Sequence, residues 1–458
     1  MADVHGYIEQ NLERFRSELF DFLRIPSVSA RSEHQADVKR AAEWVSSQCT
    51  DAGLTSQVHA TPGHPIVVAE WRGAGPAAPT VLIYGHYDVQ PVEPLNLWTS
   101  PPFEPTIRAG RIYGRGSVDD KGQLHLHIKA IEAHMRTHGR LPLNVVVIAE
   151  GEEEVGSANL MPFVRKHTDK LKCNAVVISD TTMIGPGLPT IGMSLRGMTY
   201  LEVRVHGPDH DLHSGSYGGA VLNPATALAR IIASFHDDNW HVRIPGFYDD
   251  VLAAEDFRAA IRELPAFDES GFLKETGSLA AVGEKGFSTL ERIWIRPTVE
   301  INGLLSGYTG EGSKTVLPAH AMAKVSCRLV PNQDPDKIAL LVEKHIRAVA
   351  PEGVRVEVEV LHGGKPWRAR TEGPLYDAAG AALHKAFGKK PVYAGEGGSI
   401  PIVPEFEAVL NAPALLMGFG LPGENAHAPD EWMSVENYDK GIHAAAGLLD
   451  ELAARMKS

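Results

Sequence analysis

His86 and Asp88 stand two residues apart in the stretch Tyr84-Gly85-His86-Tyr87-Asp88-Val89-Gln90-Pro91. Asp119 and Asp120 follow a glycine-rich turn, Gly114-Arg115-Gly116-Ser117-Val118, and three adjacent carboxylates come at Glu152, Glu153 and Glu154. Asp180 closes the run Val177-Ile178-Ser179, and His427 lies late in the chain, in the loop Pro422-Gly423-Glu424-Asn425-Ala426-His427-Ala428. Together His86, Asp119, Glu154, Asp180 and His427 form a candidate ligand set of imidazoles and carboxylates. With no cysteine among them, the set favours zinc, or else manganese or cobalt. Five side chains are too many for one catalytic zinc, but they suit two cations that share a carboxylate. Two divalent ions would meet three carboxylates and one hydroxide, so a water held there is acidified towards neutrality. Asp88 is spaced to accept the second ring N–H of His86, which fixes the tautomer of a ligand imidazole. Glu153, beside Glu154, is spaced to take a proton from the water and pass it to a leaving amine. Spacing alone leaves the register open between Asp119 and Asp120, and within the run of glutamates.

These residues need elements that bring them together. Residues 80–84 are apolar on both faces, as in a central strand of a covered sheet. Residues 66–71, 144–149 and 175–179 also read as strands, and helices are expected over 36–52 and through Ile8, Leu12, Phe15, Leu19 and Leu23. The pattern predicts a helix over 118–138, with Asp119 and Asp120 in its first turn. In open α/β sheets, sites form beyond the carboxyl ends of the strands. His86, Glu153, Glu154 and Asp180 all follow such ends, which weighs more than any one of them alone. Past Ser194 the pattern changes to strands with one polar face, in the order β-α-β-β-α-β, the ferredoxin-like unit. An inserted domain at 193–366 is therefore expected, with 1–192 and 367–458 forming the main domain. Val409-Leu410 and residues 414–417 read as strand pieces, and a last helix follows Ser434, a good N-cap. Residues 237–290 give no clear pattern.

Composition sets the outer limits. A chain of 458 residues with 43% hydrophobic and 22% charged content reads as a soluble globular protein of two domains. A formal net charge of -13 argues against nucleic acid or an anionic membrane as partner. Cys49, Cys173 and Cys327 fall in no CxxC spacing and read as reduced thiols. No signal-peptide pattern and no run long enough to span a membrane is visible, so a cytoplasmic protein is expected. The turn before Asp119 lacks the lysine and serine spacing of a phosphate-binding loop.

The motifs GHYDVQP, GRGSVDDKG, EGEEEVGS, VISD, DLHSG, RLVP, EGGSIP and the late His427 occur in that order. In combination they resemble the di-zinc metallopeptidase family of carnosinase, cytosolic nonspecific dipeptidase, aminoacylase, succinyl-diaminopimelate desuccinylase and carboxypeptidase G, over nearly the whole chain. DLHSGSYGG, SKTVLP, RLVPN and GGSIP are closest to its dipeptidase branch. The resemblance implies an α/β, zinc-peptidase-like catalytic domain with a mostly parallel mixed sheet and flanking helices. It also implies an inserted ferredoxin-like α+β lid and dimerisation domain. Two Zn2+ per subunit are implied, bridged by Asp119, with His86 and Asp180 on one ion and Glu154 and His427 on the other. Glu153 would be the base, and the Asp119–Asp120 peptide would be cis. His213 would reach the active site of a partner subunit and polarise the scissile carbonyl. Thr315, Arg328 and Ser399 would hold the substrate, Arg328 by matching its planar fork to a substrate carboxylate. Backbone N–H groups before Ser399, at Gly398 among others, would serve the same end. The expected activity is hydrolysis of the peptide bond of dipeptides or small peptides by a homodimer. The loop Asn425-Ala426-His427-Ala428-Pro429-Asp430-Glu431-Trp432 is closer to that of the deacylase branches. An N-acyl amino acid deacylase or desuccinylase is therefore the alternative. A non-catalytic binding protein on the same fold is a third reading, against which the complete set of base and ligands argues.

Overall fold

Thr80–His86 is buried at every position and forms a central strand of a mixed sheet. The computed structural model describes residues 3–456, which fall into two compact units. The first takes in the chain up to Met193, Ala369–Ala394, and the chain from Ile402 onward. Its strands lie in the order Thr55–His59, Ile66–Trp71, Asn144–Glu150, Thr80–His86, Ala175–Ile178, Ala414–Leu416 and Thr190–Leu195. The run from Asn144–Glu150 to Ala414–Leu416 is parallel, and the pairings outside it are antiparallel. Parallel strands need both faces covered, and Asn144–Glu150, like Thr80–His86, is buried throughout. The helix Lys121–His138 packs against Val4–Leu23, against Val435–Arg455 and against the strand Thr80–His86. The first of these presents Ile8, Phe15, Leu19 and Phe22 as its buried stripe. Lys121 is buried, and its Nζ donates to the carbonyls of Phe22 (3.1 Å) and Ile25 (2.6 Å). It thereby ties the start of its own helix to the end of Val4–Leu23 and the turn that follows.

Two expectations need correction. The helix expected from Val118 begins at Lys121, so Asp119 and Asp120 lie in the turn before it, joined by a cis peptide bond. Val409 and Leu410 do not form a strand; they end the helix Ile402–Leu410. A two-residue apolar pair carries no period, so it cannot distinguish a strand from the last turn of a helix. The final helix, Val435–Arg455, starts as its sequence dictates, with the Ser434 side chain accepting from the N–H of Asn437.

The second unit comprises Ser194–Arg368 and Gly395–Pro401. Its antiparallel sheet has the order Thr298–Ser306, His320–Leu329, Gly197–His206, Arg355–Gly364. With the helices Pro224–Ala233 and Pro335–Val349, the chain order is β-α-β-β-α-β. Leu201, Val203 and Val205 share a core with Val325, Cys327, Leu329, Ile231 and Val342. The alternate residues Glu202, Lys324 and Arg328 belong to the opposite face, where Glu202 and Lys324 form an ion pair of 2.8 Å. The helix Pro335–Val349 begins with Pro335, and the Asp334 side chain accepts from the N–H groups of Asp336 and Lys337. Residues 237–290 include the short helices Glu255–Glu263 and Glu269–Thr276.

Candidate metal centre

His86 is the last residue of its strand, in register with Glu150 of the neighbouring strand. Glu153 and Glu154 open the short turn Glu153–Val155 just beyond that neighbour, and Asp180 lies two residues past Ala175–Ile178. The parallel sheet therefore delivers these side chains to one end. Asp119 arrives from the turn before the helix Lys121–His138. His427 arrives from the loop after Ala414–Leu416 with its backbone in the left-handed region, φ 62°. Gly85 lets the helix start approach the strand: a Cβ there would lie 2.8 Å from Asp120 Oδ2 and 3.0 Å from Leu124 Cδ1.

All five candidate ligands come together in the first unit. One group contains His86, Asp119 and Asp180; the other contains Asp119, Glu154 and His427. Asp119 is common to both, through different atoms. Its Oδ1 lies 3.1 Å from His86 Nε2, and its Oδ2 lies 2.8 Å from His427 Nε2. Asp180 Oδ2 is 3.7 Å from His86 Nε2, and Glu154 Oε2 is 3.3 Å from His427 Nε2. Gln90, in the same motif as His86, donates from Nε2 to Glu154 Oε2 at 2.7 Å.

The electrostatics suit cations. Burial pushes Glu153 up to about 9, with Asp180, Glu154 and Asp119 adding to it against His86. Asp180 rises to about 7 through burial and the charge of Asp119. Burial would raise Asp119 as well, but hydrogen bonds with His427 and His86 outweigh it and hold Asp119 below the usual carboxylate range. His427 is driven up to about 10 by its hydrogen bonds with Asp119 and Glu154. Carboxylates outnumber imidazoles here, and burial makes their excess negative charge unfavourable. A pair of divalent ions would remove that excess directly and leave the imidazoles neutral, as ligands must be. The donor set therefore fits two cations bridged by Asp119.

Asp88 takes on a second task beside the one expected from its spacing. His86 Nδ1 lies 3.1 Å from the backbone carbonyl of Asp88 and 3.4 Å from its Oδ1. The carboxylate also accepts the N–H groups of Glu153 and Glu154, each at 3.2 Å. The carbonyl can fix the His86 tautomer, and the carboxylate ties the glutamate turn to the His86 strand. Of two further residues, Asp120 was the alternative to Asp119 in the sequence, and Glu431 was not singled out. Asp120 Oδ2 accepts the His86 N–H at 3.1 Å. Glu431 is fully buried and accepts from Arg115 Nη1 (2.6 Å) and from the N–H groups of Gly116 (2.9 Å), Val118 (3.1 Å) and Asp119 (3.2 Å). It lies in the His427 loop, which was the one signal available for it.

The remaining candidates all belong to the second unit. His213 ends the strand Leu212–His213, paired with Val316, and the Thr315 carbonyl accepts the N–H of Ser214. His213 Nδ1 accepts from the N–H groups of Gly215 (3.0 Å) and Ser216 (3.2 Å), so the ring proton sits on Nε2. Arg328 Nη1 donates to Ser399 Oγ at 2.8 Å. The Gly398 carbonyl accepts the N–H of Arg196.

Known proteins agree with this fold. Residues 82–451 match the model of peptidase family M20/M25/M40. A Cys-Gly metallodipeptidase of Schizosaccharomyces pombe is 33% identical, over 98% of this chain and 98% of its own. The Beta-Ala-His dipeptidase of Homo sapiens is 30% identical, over 97% of this chain and 87% of its own. The structure of an M20 family metallo-carboxypeptidase from Sulfolobus solfataricus shares the mixed α/β fold. Its TM-score is 0.85 at 34% identity, covering 96% of this chain and 99% of that one. The chain is a metal-dependent peptidase and belongs to peptidase family M20/M25/M40.

Proposed function

We propose that the chain hydrolyses the peptide bond of dipeptides, with His86, Asp119, Glu154, Asp180 and His427 holding two divalent cations, zinc before manganese or cobalt. The observation that carries this reading is Asp119, whose two carboxylate oxygens each face a different imidazole. The Cys-Gly and Beta-Ala-His dipeptidases among the relatives support dipeptides as the substrate class. His86 and Asp180 would hold one ion, and Glu154 and His427 the other. When bound, such ions supply Lewis acidity and lower the pKa of water. Glu153 takes the proton of the attacking water as its oxygen bonds the carbonyl carbon. It then delivers that proton to the leaving nitrogen as the C–N bond breaks. His213, with its proton on Nε2, donates to the carbonyl oxygen as charge develops there. Arg328 and Ser399 take the free carboxylate, aided by Thr315 and the backbone at Gly398.

The same reading makes the protein a homodimer in which His213 serves the partner's centre, and gives residues 193–366 the role of lid and dimerisation domain. The buried, unpaired thiols of Cys49, Cys173 and Cys327 support a cytoplasmic location.

Metal-stripped protein is expected to hydrolyse nothing, and zinc, manganese or cobalt to restore turnover of dipeptides but not of N-acyl amino acids. Turnover of acyl amino acids with dipeptides left intact would replace this function with deacylation. His213→Ala and His86→Ala proteins are each expected to lose roughly a hundredfold or more in turnover. Mixed as hybrid dimers they should recover part of it, because one of the two centres is then whole. If subunit exchange is verified and no activity returns, His213 does not act across subunits.

A further inference from the structure

The segment Gly395–Pro401 belongs to the second unit and meets two guanidinium groups there. Arg328, in register with Met198, donates from Nη1 to Ser399 Oγ at 2.8 Å. Arg196, just before the strand Gly197–His206, grips the same turn twice. Its backbone N–H donates to the Gly398 carbonyl at 3.1 Å, and its Nε–H donates to the Gly397 carbonyl at 2.9 Å. Burial, and then repulsion from Arg328, pull the Arg196 guanidinium down to about 10, so it stays charged at neutral pH. Glu300 and Glu396 offset part of that repulsion. Two cations this near each other and partly withdrawn from water are an unfavourable arrangement unless the turn between them needs both.

The turn is walled on one side. A Cβ at Gly397 would lie 2.8 Å from Ile293 Cγ2, and one at Gly395 would lie 2.7 Å from Trp294 Cβ. At Gly398 the nearest such atom is Glu396 Cγ, at 4.0 Å. Paired glycines carry little conformational restraint of their own. The position of Ser399 is therefore set by what grips the turn, and among the described residues Arg196 does so from both its backbone and its side chain.

We propose that Arg196 is the positioning residue of the carboxylate subsite, holding the Gly397–Gly398–Ser399 turn so that Ser399 and Arg328 meet the free carboxylate of the substrate in a preset array. This rests on the assignment of that carboxylate to Arg328 above. Bidentate recognition depends on the plane of the Arg328 fork, and that plane is steadied by the bond to Ser399. When Ser399 drifts, the fork must be reordered at each binding event, and the loss falls on substrates that carry the charge.

The test compares a dipeptide with its C-terminal amide as substrates of the zinc-loaded full-length protein, in the wild type, Arg328→Ala, Arg196→Ala and Arg196→Lys. Arg328→Ala should bring the ratio of kcat/KM for acid over amide close to one. Arg196→Ala should lower that ratio about tenfold, mainly through KM of the acid, as expected for one lost hydrogen bond of a charged group. Arg196→Lys keeps the charge but not the fork, and should fall in the same direction. It also decides the matter if the alanine variant does not fold. If Arg328→Ala leaves the ratio unchanged, the carboxylate assignment fails and this inference fails with it. If Arg328→Ala collapses the ratio while both Arg196 variants keep the wild-type value, or lose acid and amide equally, the role of Arg196 alone is overturned.

Discussion

Glu153→Gln is expected to keep its metal and lose between about a hundredfold and ten-thousandfold in turnover, the range contributed by general acid–base catalysis. Glutamine retains the length and shape of the side chain but cannot accept and return the proton. The local backbone should not move, because it is held from elsewhere: Asp88 accepts the N–H of Glu153 on one carboxylate oxygen and that of Glu154 on the other. The Glu153 carboxylate itself is not part of either candidate metal group. The variant therefore separates proton transfer from metal retention. Metal analysis and steady-state turnover on the same preparation check it. Full metal content with unchanged turnover would remove Glu153 from the role of base.

The second large effect is on stability. Glu431→Ala should destabilise the first unit by about 3–5 kcal/mol, the usual penalty for removing one member of a buried ion pair. Arg115 and Glu431 are both buried, with 2.6 Å between Nη1 and Oε2. Without the carboxylate, a buried guanidinium loses its counter-charge, and the N–H groups of Gly116, Val118 and Asp119 lose their acceptor. Because the last of these belongs to the shared residue of the candidate centre, metal retention should fall as well. Glu431→Gln keeps the shape and one acceptor oxygen, and should lose less. Chemical denaturation and metal content after dialysis are the measurements. An alanine variant with wild-type midpoint and wild-type metal would show that this carboxylate organises nothing.

What could be read from the sequence was what local pattern controls. Thr80–His86 declared itself because a parallel strand buried on both faces must be apolar throughout. Val435–Arg455 did so because Ser434 supplies the N-cap before an apolar stripe. The candidate ligands were legible because strand ends and carboxylates coincide, although the choice of Asp119 over Asp120 needed the resemblance to a family. The reading failed where partners are remote or the run is short. Glu431 bonds to Arg115, 316 residues away, and no spacing rule spans that distance. The second task of the Asp88 carboxylate, holding backbone N–H groups of the glutamate turn, could not be read from its two-residue offset from His86. Val409 and Leu410 were too few to carry a period. Arg196 sits in a stretch without a chemical motif, and only the return of residues 395–401 to the second unit gives it a task.

His427 and Glu431 occupy a single late loop, yet one completes a candidate ligand group and the other fastens the turn bearing Asp119. A ribosome must therefore have read past Glu431 before both candidate ligand groups and the clasp on the Asp119 turn are present. Until then the emerging polypeptide already contains His86, Asp119, Glu154 and Asp180 and has neither the last donor nor the clasp. Any product cut short ahead of that loop would carry the whole central parallel sheet and still lack one donor of the second candidate group and the clasp on the Asp119 turn.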